Sequence, residues 1–151
     1  QSRASLGWFV SATLMDARYT RWNNPEIATD PTKSIENKRV EYAPKLTCRS
    51  GVSFKMEALT ATLQWSYVDG VFTDAANTDS PTANAQAGKI PSYQLVDCSV
   101  KYAFTKQFFL QAALNNAMNA HYATRRSGGY PGPGLLPGTG RTFTCTIGLT
   151  L

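Results

Sequence analysis

The sequence predicts an all-β protein with antiparallel strands, of the kind that forms a transmembrane β-barrel. Three observations predict this fold class. Apolar and polar residues alternate in at least five segments, long and short connections alternate strictly, and aromatic residues lie near the predicted strand ends. A period of two is typical of strands, whereas helical spacing of apolar residues is hard to find anywhere in the 151 residues.

Six segments carry the alternation, and in each of them nearly every second residue is apolar. In chain order the apolar faces are Leu6, Trp8, Val10, Ala12 and Leu14; Leu46, Cys48, Val52, Phe54 and Met56; Leu59, Ala61, Leu63, Trp65 and Tyr67; Val96, Cys98, Val100, Tyr102 and Phe104; Leu110, Ala112 and Leu114; and Phe143, Cys145, Ile147, Leu149 and Leu151. The third and sixth segments are the cleanest, because only Thr, Gln, Ser and Gly occupy their opposite face. The first segment is less regular and the fifth is the weakest.

The three cysteines all fall on the apolar faces. Cys48, Cys98 and Cys145 are widely spaced, and the chain has neither a CxxC motif nor a Cys/His cluster, with His121 as its single histidine. We therefore expect small buried or lipid-facing side chains here and no metal site.

Connections of two very different lengths join the segments. Only two residues separate Met56 from Leu59, and three separate Phe104 from Phe108. The long connections are Asn23–Pro44, Asp74–Ser92 and Arg125–Gly140. A compact soluble β-sandwich seldom contains three such long loops without structure of their own. A transmembrane barrel regularly combines short periplasmic turns with long extracellular loops, so the lengths favour a barrel with these loops outside the cell.

Aromatic residues near the predicted strand ends point the same way. They are Trp8, Trp22, Trp65, Tyr67, Tyr102, Phe104, Phe108 and Phe143. Rings at these places fit the aromatic girdles of a membrane barrel, although aromatics are also common in strands of any kind.

Six strands are too few to close a membrane barrel, for which about eight is the lower limit, and open edges in lipid are costly. The chain is therefore expected to be the C-terminal part of a larger barrel, beginning mid-chain at Gln1.

Several segments, in matched order, resemble the C-terminal end of TonB-dependent outer-membrane receptors, most of all the ferric-citrate and ferric-siderophore branch. They are "GKIPSYQLVDCSVKYAF", "LNNAMNAHYATRR", "GYPGPGLLPGTGRTF" and the terminal strand, together with "VEYAPKLTCRSGVSFK" and "FTDAANTDSPTANAQAGKIP". The likeness covers nearly the whole chain. Two departures stand out: Ala117 and Met118 replace the family's usual Leu-Phe, and the chain ends in Leu151 where the family usually has an aromatic residue.

The resemblance implies a barrel of about 22 strands with a plugged lumen. Residues 1–151 would then be the C-terminal part of the barrel, without the plug domain and the earlier strands. It also implies a receptor in the Gram-negative outer membrane that binds a ferric siderophore or ferric citrate and admits it when a TonB-type energy-coupling protein acts on the plug. The expected partners are outer-membrane lipid, lipopolysaccharide, the coupling protein and the ferric chelate. No cofactor is expected, because iron enters only as part of the chelate.

Other functions fit parts of the pattern. An importer of another ligand, such as a glycan, a peptide or cobalamin, would share the barrel, and a soluble β-sandwich binding module would share the alternation. An outer-membrane enzyme would need a catalytic cluster near the loops, yet His121 has no evident Ser or Asp partner in a recognisable motif, so no enzyme is expected. The net charge of +5 accompanies no basic helix or Lys-rich arm, so nucleic acid is not expected as a partner.

The last long connection is the predicted ligand-binding site. Its arginines, Arg125, Arg126 and Arg141, offer planar donors for the carboxylates of an anionic chelate, and no acid accompanies them. Further candidate residues are Tyr130 in the same connection and Asn115 and Asn116 in the upper part of the preceding strand. The arginines could instead pair with acids of neighbouring loops or with lipopolysaccharide phosphates. The first long loop is nearly balanced in charge and gives no comparable anion signal.

Overall fold

A single antiparallel sheet organises the part of the chain that the computed structural model describes, residues 4–28, 30–129 and 132–149. The strands are β1 (Ala4–Leu14), β2 (Leu46–Met56), β3 (Leu59–Val68), β4 (Tyr93–Ala103), β5 (Phe108–Asn115), β6 (Ala123–Ser127), β7 (Gly134–Pro137) and β8 (Thr142–Leu149). Six of them form the sheet in the order β1-β2-β3-β4-β5-β8, and β6 pairs with β7 in a separate hairpin. The six predicted strands are therefore confirmed, and the sheet is open at β1 and β8.

The register places the predicted apolar residues on one face of the whole sheet. Leu6 lies opposite Phe54, Trp8 lies opposite Val52, and the same face continues across the later strands as far as β8. Directly opposite residues of antiparallel strands share a face, so one apolar face and one polar face extend across all six strands. We use "apolar face" and "polar face" for these two surfaces.

No second layer covers the apolar face within the described residues. Leu63 lies in the middle of the sheet on β3, yet 54% of it is exposed, and Phe143 and Ile147 on β8 are 69% and 68% exposed. A sandwich would bury these positions against a second sheet. The exposed apolar face therefore argues against a soluble sandwich and suits contact with lipid.

Two glycines on the polar face lie beneath aromatic rings of the neighbouring strand. A Cβ at Gly51 would lie 2.4 Å from the ring of Phe9, and a Cβ at Gly148 would lie 2.0 Å from the ring of Phe109. Both pairs are directly opposite in register. The rings thus lie over strand positions that leave room only for a hydrogen atom, and this packing favours the observed pairing.

Short turns lie at one end of the sheet and long connections at the other, as the sequence predicts. The β2–β3 turn has two residues, of which Glu57 has φ 49°, and the β4–β5 turn spans 104–107 because β4 ends at Ala103. In that second turn, the Thr105 hydroxyl accepts hydrogen bonds from the backbone N–H groups of Gln107 and Phe108. The connections at the opposite end span 15–45, 69–92 and 116–141.

The long connections have more internal order than the sequence suggests. The first contains two short 3-10 helices, Pro25–Ala28 and Pro31–Lys33, and the third contains the β6–β7 hairpin. The prediction of structureless loops was wrong, because local caps and ladder bonds organise short segments that have no apolar periodicity. One example is the cap of the second 3-10 helix, where the Asp30 side chain accepts from the backbone N–H of Thr32.

The aromatic residues divide into several groups. At the short-turn end, the Phe104 ring contacts those of Tyr102 and Phe108, with centroid distances of 4.8 and 5.1 Å. Trp65 and Tyr67 stack near the loop end of β3 at 6.3 Å, and Phe143 lies near the loop end of β8. Trp8 lies in the middle of β1 and Trp22 in the first long connection, so the expectation of strand-end positions was wrong for these two. No helix among the described residues is long and apolar enough to cross a membrane.

Candidate ligand-binding site

The three long connections, which we call loop 1 (15–45), loop 2 (69–92) and loop 3 (116–141), lie at the same end of the sheet. Loops 1 and 2 are joined by backbone-directed hydrogen bonds. The Asn77 side chain accepts from the Arg39 N–H at 2.6 Å and donates to the Arg39 carbonyl at 2.8 Å. Lys38 donates to the carbonyl of Ala76, and the Tyr42 N–H donates to the carbonyl of Phe72. These bonds give the loop end a defined shape.

Loop 1 is also closed on itself. Its two sides form a ladder in which Tyr19 donates to the carbonyl of Lys38 and Val40 donates to the carbonyl of Ala17. The Tyr19 hydroxyl donates a short hydrogen bond to the Glu41 carboxylate, and this bond raises the pKa of Tyr19. A protonated phenol is the donor that the carboxylate requires, so the contact persists at neutral pH.

Arg126 is the buried member of the predicted arginine set. It is 7% exposed, and its Nη1 donates to the carbonyl of Ala85 in loop 2 at 2.8 Å. The Tyr42 hydroxyl of loop 1 lies 3.4 Å from both the N–H and the carbonyl oxygen of Arg126. Arg126 therefore lies where all three loops meet. Among the described residues it pairs with no acid, and its Nε has no hydrogen-bond partner.

Asn116 is also buried, with 3% exposure. Its Nδ2 donates to the carbonyls of Ala120 and Thr139, and its Oδ1 accepts from the Ala120 N–H. The Asn116 backbone N–H donates to the Asp97 carboxylate at 2.8 Å, and its φ of 48° is of the kind that asparagine tolerates. The residue thus holds the beginning and the end of loop 3 together.

The remaining predicted site residues are more accessible. Asn115 is exposed on the polar face, where its Nδ2 donates to the Thr142 hydroxyl at 3.3 Å. Arg125 and Arg141 are exposed, and the backbone N–H of Arg141 is held by the Asn119 side chain. Tyr130 lies outside the described residues. The structure thus places Arg125 and Arg141 in contact with solvent and uses Arg126 and Asn116 to join backbone segments.

The polar face below the loops carries a cation that the sequence did not single out. Arg49 is exposed on β2, directly opposite Ser11 of β1 and Ser66 of β3. These three residues help to line a cavity of about 340 Å³, and Tyr93 of β4 reaches the same cavity. Alternation had already assigned Arg49 to the polar side of its strand, but only the register shows which residues flank it.

A second cavity, of about 310 Å³, lies at the base of the β6–β7 hairpin and is mostly apolar. His121, Tyr122, Leu135 and Pro137 help to line it. The Tyr122 ring lies 4.5 Å from that of Tyr93, which lines the cavity at Arg49, so this aromatic pair lies between the two cavities. Among the described residues, no group of three or more His, Cys, Asp or Glu side chains could hold a metal ion.

A protein family model and several solved structures match this chain. A family model for the TonB dependent receptor-like β-barrel matches residues 3–117. The chain is 27% identical to the unliganded ferric citrate transporter FecA, with a TM-score of 0.70 over 78% of this chain and 18% of that one.

Two further structures share the fold. The siderophore receptor PiuA from Acinetobacter baumannii has 23% identity and a TM-score of 0.71, over 94% of this chain and 19% of that one. The ferric yersiniabactin uptake receptor FyuA from Yersinia pestis has 15% identity and a TM-score of 0.72, over 95% of this chain and 21% of that one. The chain thus spans about a fifth of the length of these receptors.

Proposed function

The chain belongs to the TonB-dependent receptor-like β-barrel family, and from that membership we propose that its receptor takes up ferric citrate or a ferric siderophore across the outer membrane. The proposal depends most on the 27% identity to the ferric citrate transporter FecA, which extends over 78% of the chain. The folds of PiuA and FyuA, a siderophore receptor and a ferric yersiniabactin uptake receptor, agree with it.

The exposed arginines of loop 3 support an anionic ligand. Arg125 and Arg141 are exposed in loop 3, and neither pairs with a carboxylate within the described residues. Guanidinium groups bind carboxylates through two parallel hydrogen bonds, and ferric citrate carries such groups. In the proposed orientation, loops 1 to 3 face the outside medium, where the chelate arrives.

The proposal includes the partners of such a receptor. The apolar face contacts outer-membrane lipid, lipopolysaccharide surrounds the loop end, and a TonB-type energy-coupling protein acts on a plug outside residues 1–151. Transport requires no bond chemistry, so the proposed role is not enzymatic, and the iron is cargo within its chelate.

An uptake assay tests the proposed function. The full-length receptor is produced in a Gram-negative host that lacks its own ferric-chelate receptors, with and without the TonB protein. Radiolabelled iron is supplied as ferric citrate or as a ferric siderophore. We expect saturable uptake of at least one of these chelates that stops when TonB is absent. Uptake of a glycan, a peptide or cobalamin, without uptake of any ferric chelate, would show that the ligand assignment is wrong.

Paired variants sharpen the assay. The double substitution Arg125→Gln and Arg141→Gln removes two exposed cations and is expected to weaken chelate binding by about tenfold or more. Lys106→Gln is the matched control, because it removes an exposed cation in the β4–β5 turn at the opposite end of the sheet. Equal effects of the double variant and the control would argue against binding at the loop end.

A further inference from the structure

We infer that Arg49, together with Ser11, Ser66 and Tyr93, forms a carboxylate-binding subsite on the polar face beneath the loops. This inference deepens the proposed function and depends on it for the identity of the ligand, a carboxylate of the incoming ferric chelate. The four residues come from four neighbouring strands and line one cavity of about 340 Å³. No arginine of loop 3 contributes to this cavity.

The register gives the subsite its geometry. Ser11 and Ser66 lie directly opposite Arg49 on the two neighbouring strands. Residues paired in this way have Cβ atoms about 5 Å apart, so the two hydroxyls flank the base of the arginine side chain. Tyr93 lies one row nearer the loops, because it pairs with Val68, which in turn pairs with Thr47.

Arg49 lacks the partner that a structural arginine usually has. Within the described residues its guanidinium makes no salt bridge, and the side chains of Ser11, Ser66 and Tyr93 make no hydrogen bond to protein. The sheet offers little negative charge to this arginine, since Asp97 is the only acid in the six strands. Asp97 already accepts from the backbone N–H of Asn116.

The donors suit one carboxylate. A guanidinium presents two parallel N–H groups to the two carboxylate oxygens, and neighbouring hydroxyls can donate to the remaining lone pairs. Lys55 and Lys101 lie on the same polar face nearer the short turns, so this face carries three cations against one acid and has a positive field. A carboxylate that passes the loops would therefore be attracted to this wall and would meet Arg49 first.

Calorimetric titration of the purified full-length receptor with ferric citrate tests the subsite. Arg49→Gln is expected to weaken binding by about 10- to 100-fold, the usual effect of losing a charge-assisted hydrogen-bond pair. Arg49→Lys keeps the charge but loses the planar fork, so an intermediate loss is expected. Lys55→Gln is the matched control: it removes a cation from the same strand and face, about 20 Å away. A cation at that distance contributes only to the screened long-range attraction, so this variant should weaken binding far less than Arg49→Gln.

The outcomes separate the two proposals. If ferric citrate binds wild type and Arg49→Gln equally well, the subsite is wrong and the proposed function stands. If uptake shows no ferric chelate as ligand, free citrate is the second probe. Binding of citrate that depends on Arg49 supports the subsite alone, and binding of neither citrate nor chelate overturns both. Should a carboxylate of the receptor itself occupy the subsite, Arg49→Gln would lower thermal stability without changing ferric citrate affinity, which also overturns the inference.

Discussion

Substitution of Asn116 by alanine should loosen loop 3 far more than substitution of its neighbour Asn115. The Asn116 side chain makes three hydrogen bonds, to the Ala120 carbonyl at 3.0 Å, to the Thr139 carbonyl at 3.2 Å and from the Ala120 N–H at 2.8 Å. Asn115 makes one exposed side-chain bond, to Thr142 at 3.3 Å. The two asparagines are adjacent in sequence, so each is a matched control for the other.

The magnitude follows from burial and backbone geometry. Each intramolecular hydrogen bond contributes about 1 kcal/mol net, so the three bonds of Asn116 contribute about 3 kcal/mol. Asn116 is 3% exposed, so the backbone groups left behind gain little compensating water. Alanine also tolerates the φ of 48° less well than asparagine, which adds up to about 1 kcal/mol. Asn116→Gly removes the same bonds without that strain and should cost about 1 kcal/mol less.

Hydrogen exchange measured by mass spectrometry on the full-length receptor is the assay. A loss of about 3 to 4 kcal/mol predicts exchange about 100- to 1,000-fold faster for amides near residues 117–120 and 138–141 in Asn116→Ala. Asn115→Ala, which removes one exposed bond, should change the same amides less than about fivefold. Equal exchange in the two variants, or protection unchanged in both, would refute the assignment of Asn116 as the residue that closes loop 3.

Three further predictions concern the loop junction and the sheet. Arg126→Ala should speed amide exchange around residues 82–87, because it removes the hydrogen bond from Nη1 to the Ala85 carbonyl. Arg125→Ala, at an exposed position, should not change this exchange. The reverse pattern would show that Arg126 does not join loop 3 to loop 2. Gly148→Val should lower the temperature at which the receptor loses its folded mobility on detergent gels, because a Cβ at this position would lie 2.0 Å from the Phe109 ring. Adding Phe109→Ala should restore part of the lost stability. If Gly148→Val alone leaves this temperature unchanged, the ring does not cover the position. A spin label at Cys145, with the other cysteines replaced by serine, should collide with oxygen more often than with a water-soluble nickel complex. A label at Thr144→Cys, on the opposite face, should not show this preference. Identical accessibility at the two positions would mean that the apolar face does not contact lipid.

The sequence predicts the sheet well because the period of two is a local property. Leu59 to Tyr67 shows the alternation without any knowledge of neighbouring strands, and the register then aligns its apolar residues with those of β2 and β4. A strand slipped by one residue would turn its apolar residues to the polar face, so the alternation excludes odd-numbered slips of the register. The aromatic positions were harder to predict, because Trp8 satisfies the alternation in the middle of its strand.

The burial and contacts of the candidate site residues could not be predicted from the sequence alone. By itself the sequence determined the strands, their apolar and polar faces, the alternation of short turns and long loops, and the arginine content of loop 3. Only the tertiary structure decided that Arg126 and Asn116 are buried while Arg125 and Arg141 are exposed. It also decided that Arg49 lies between two serines, with no acid paired to it in the described part of the chain. The physical reason is distance along the chain: Arg126 is held by Ala85 and Tyr42, which lie 41 and 84 residues away, and no local pattern records such contacts.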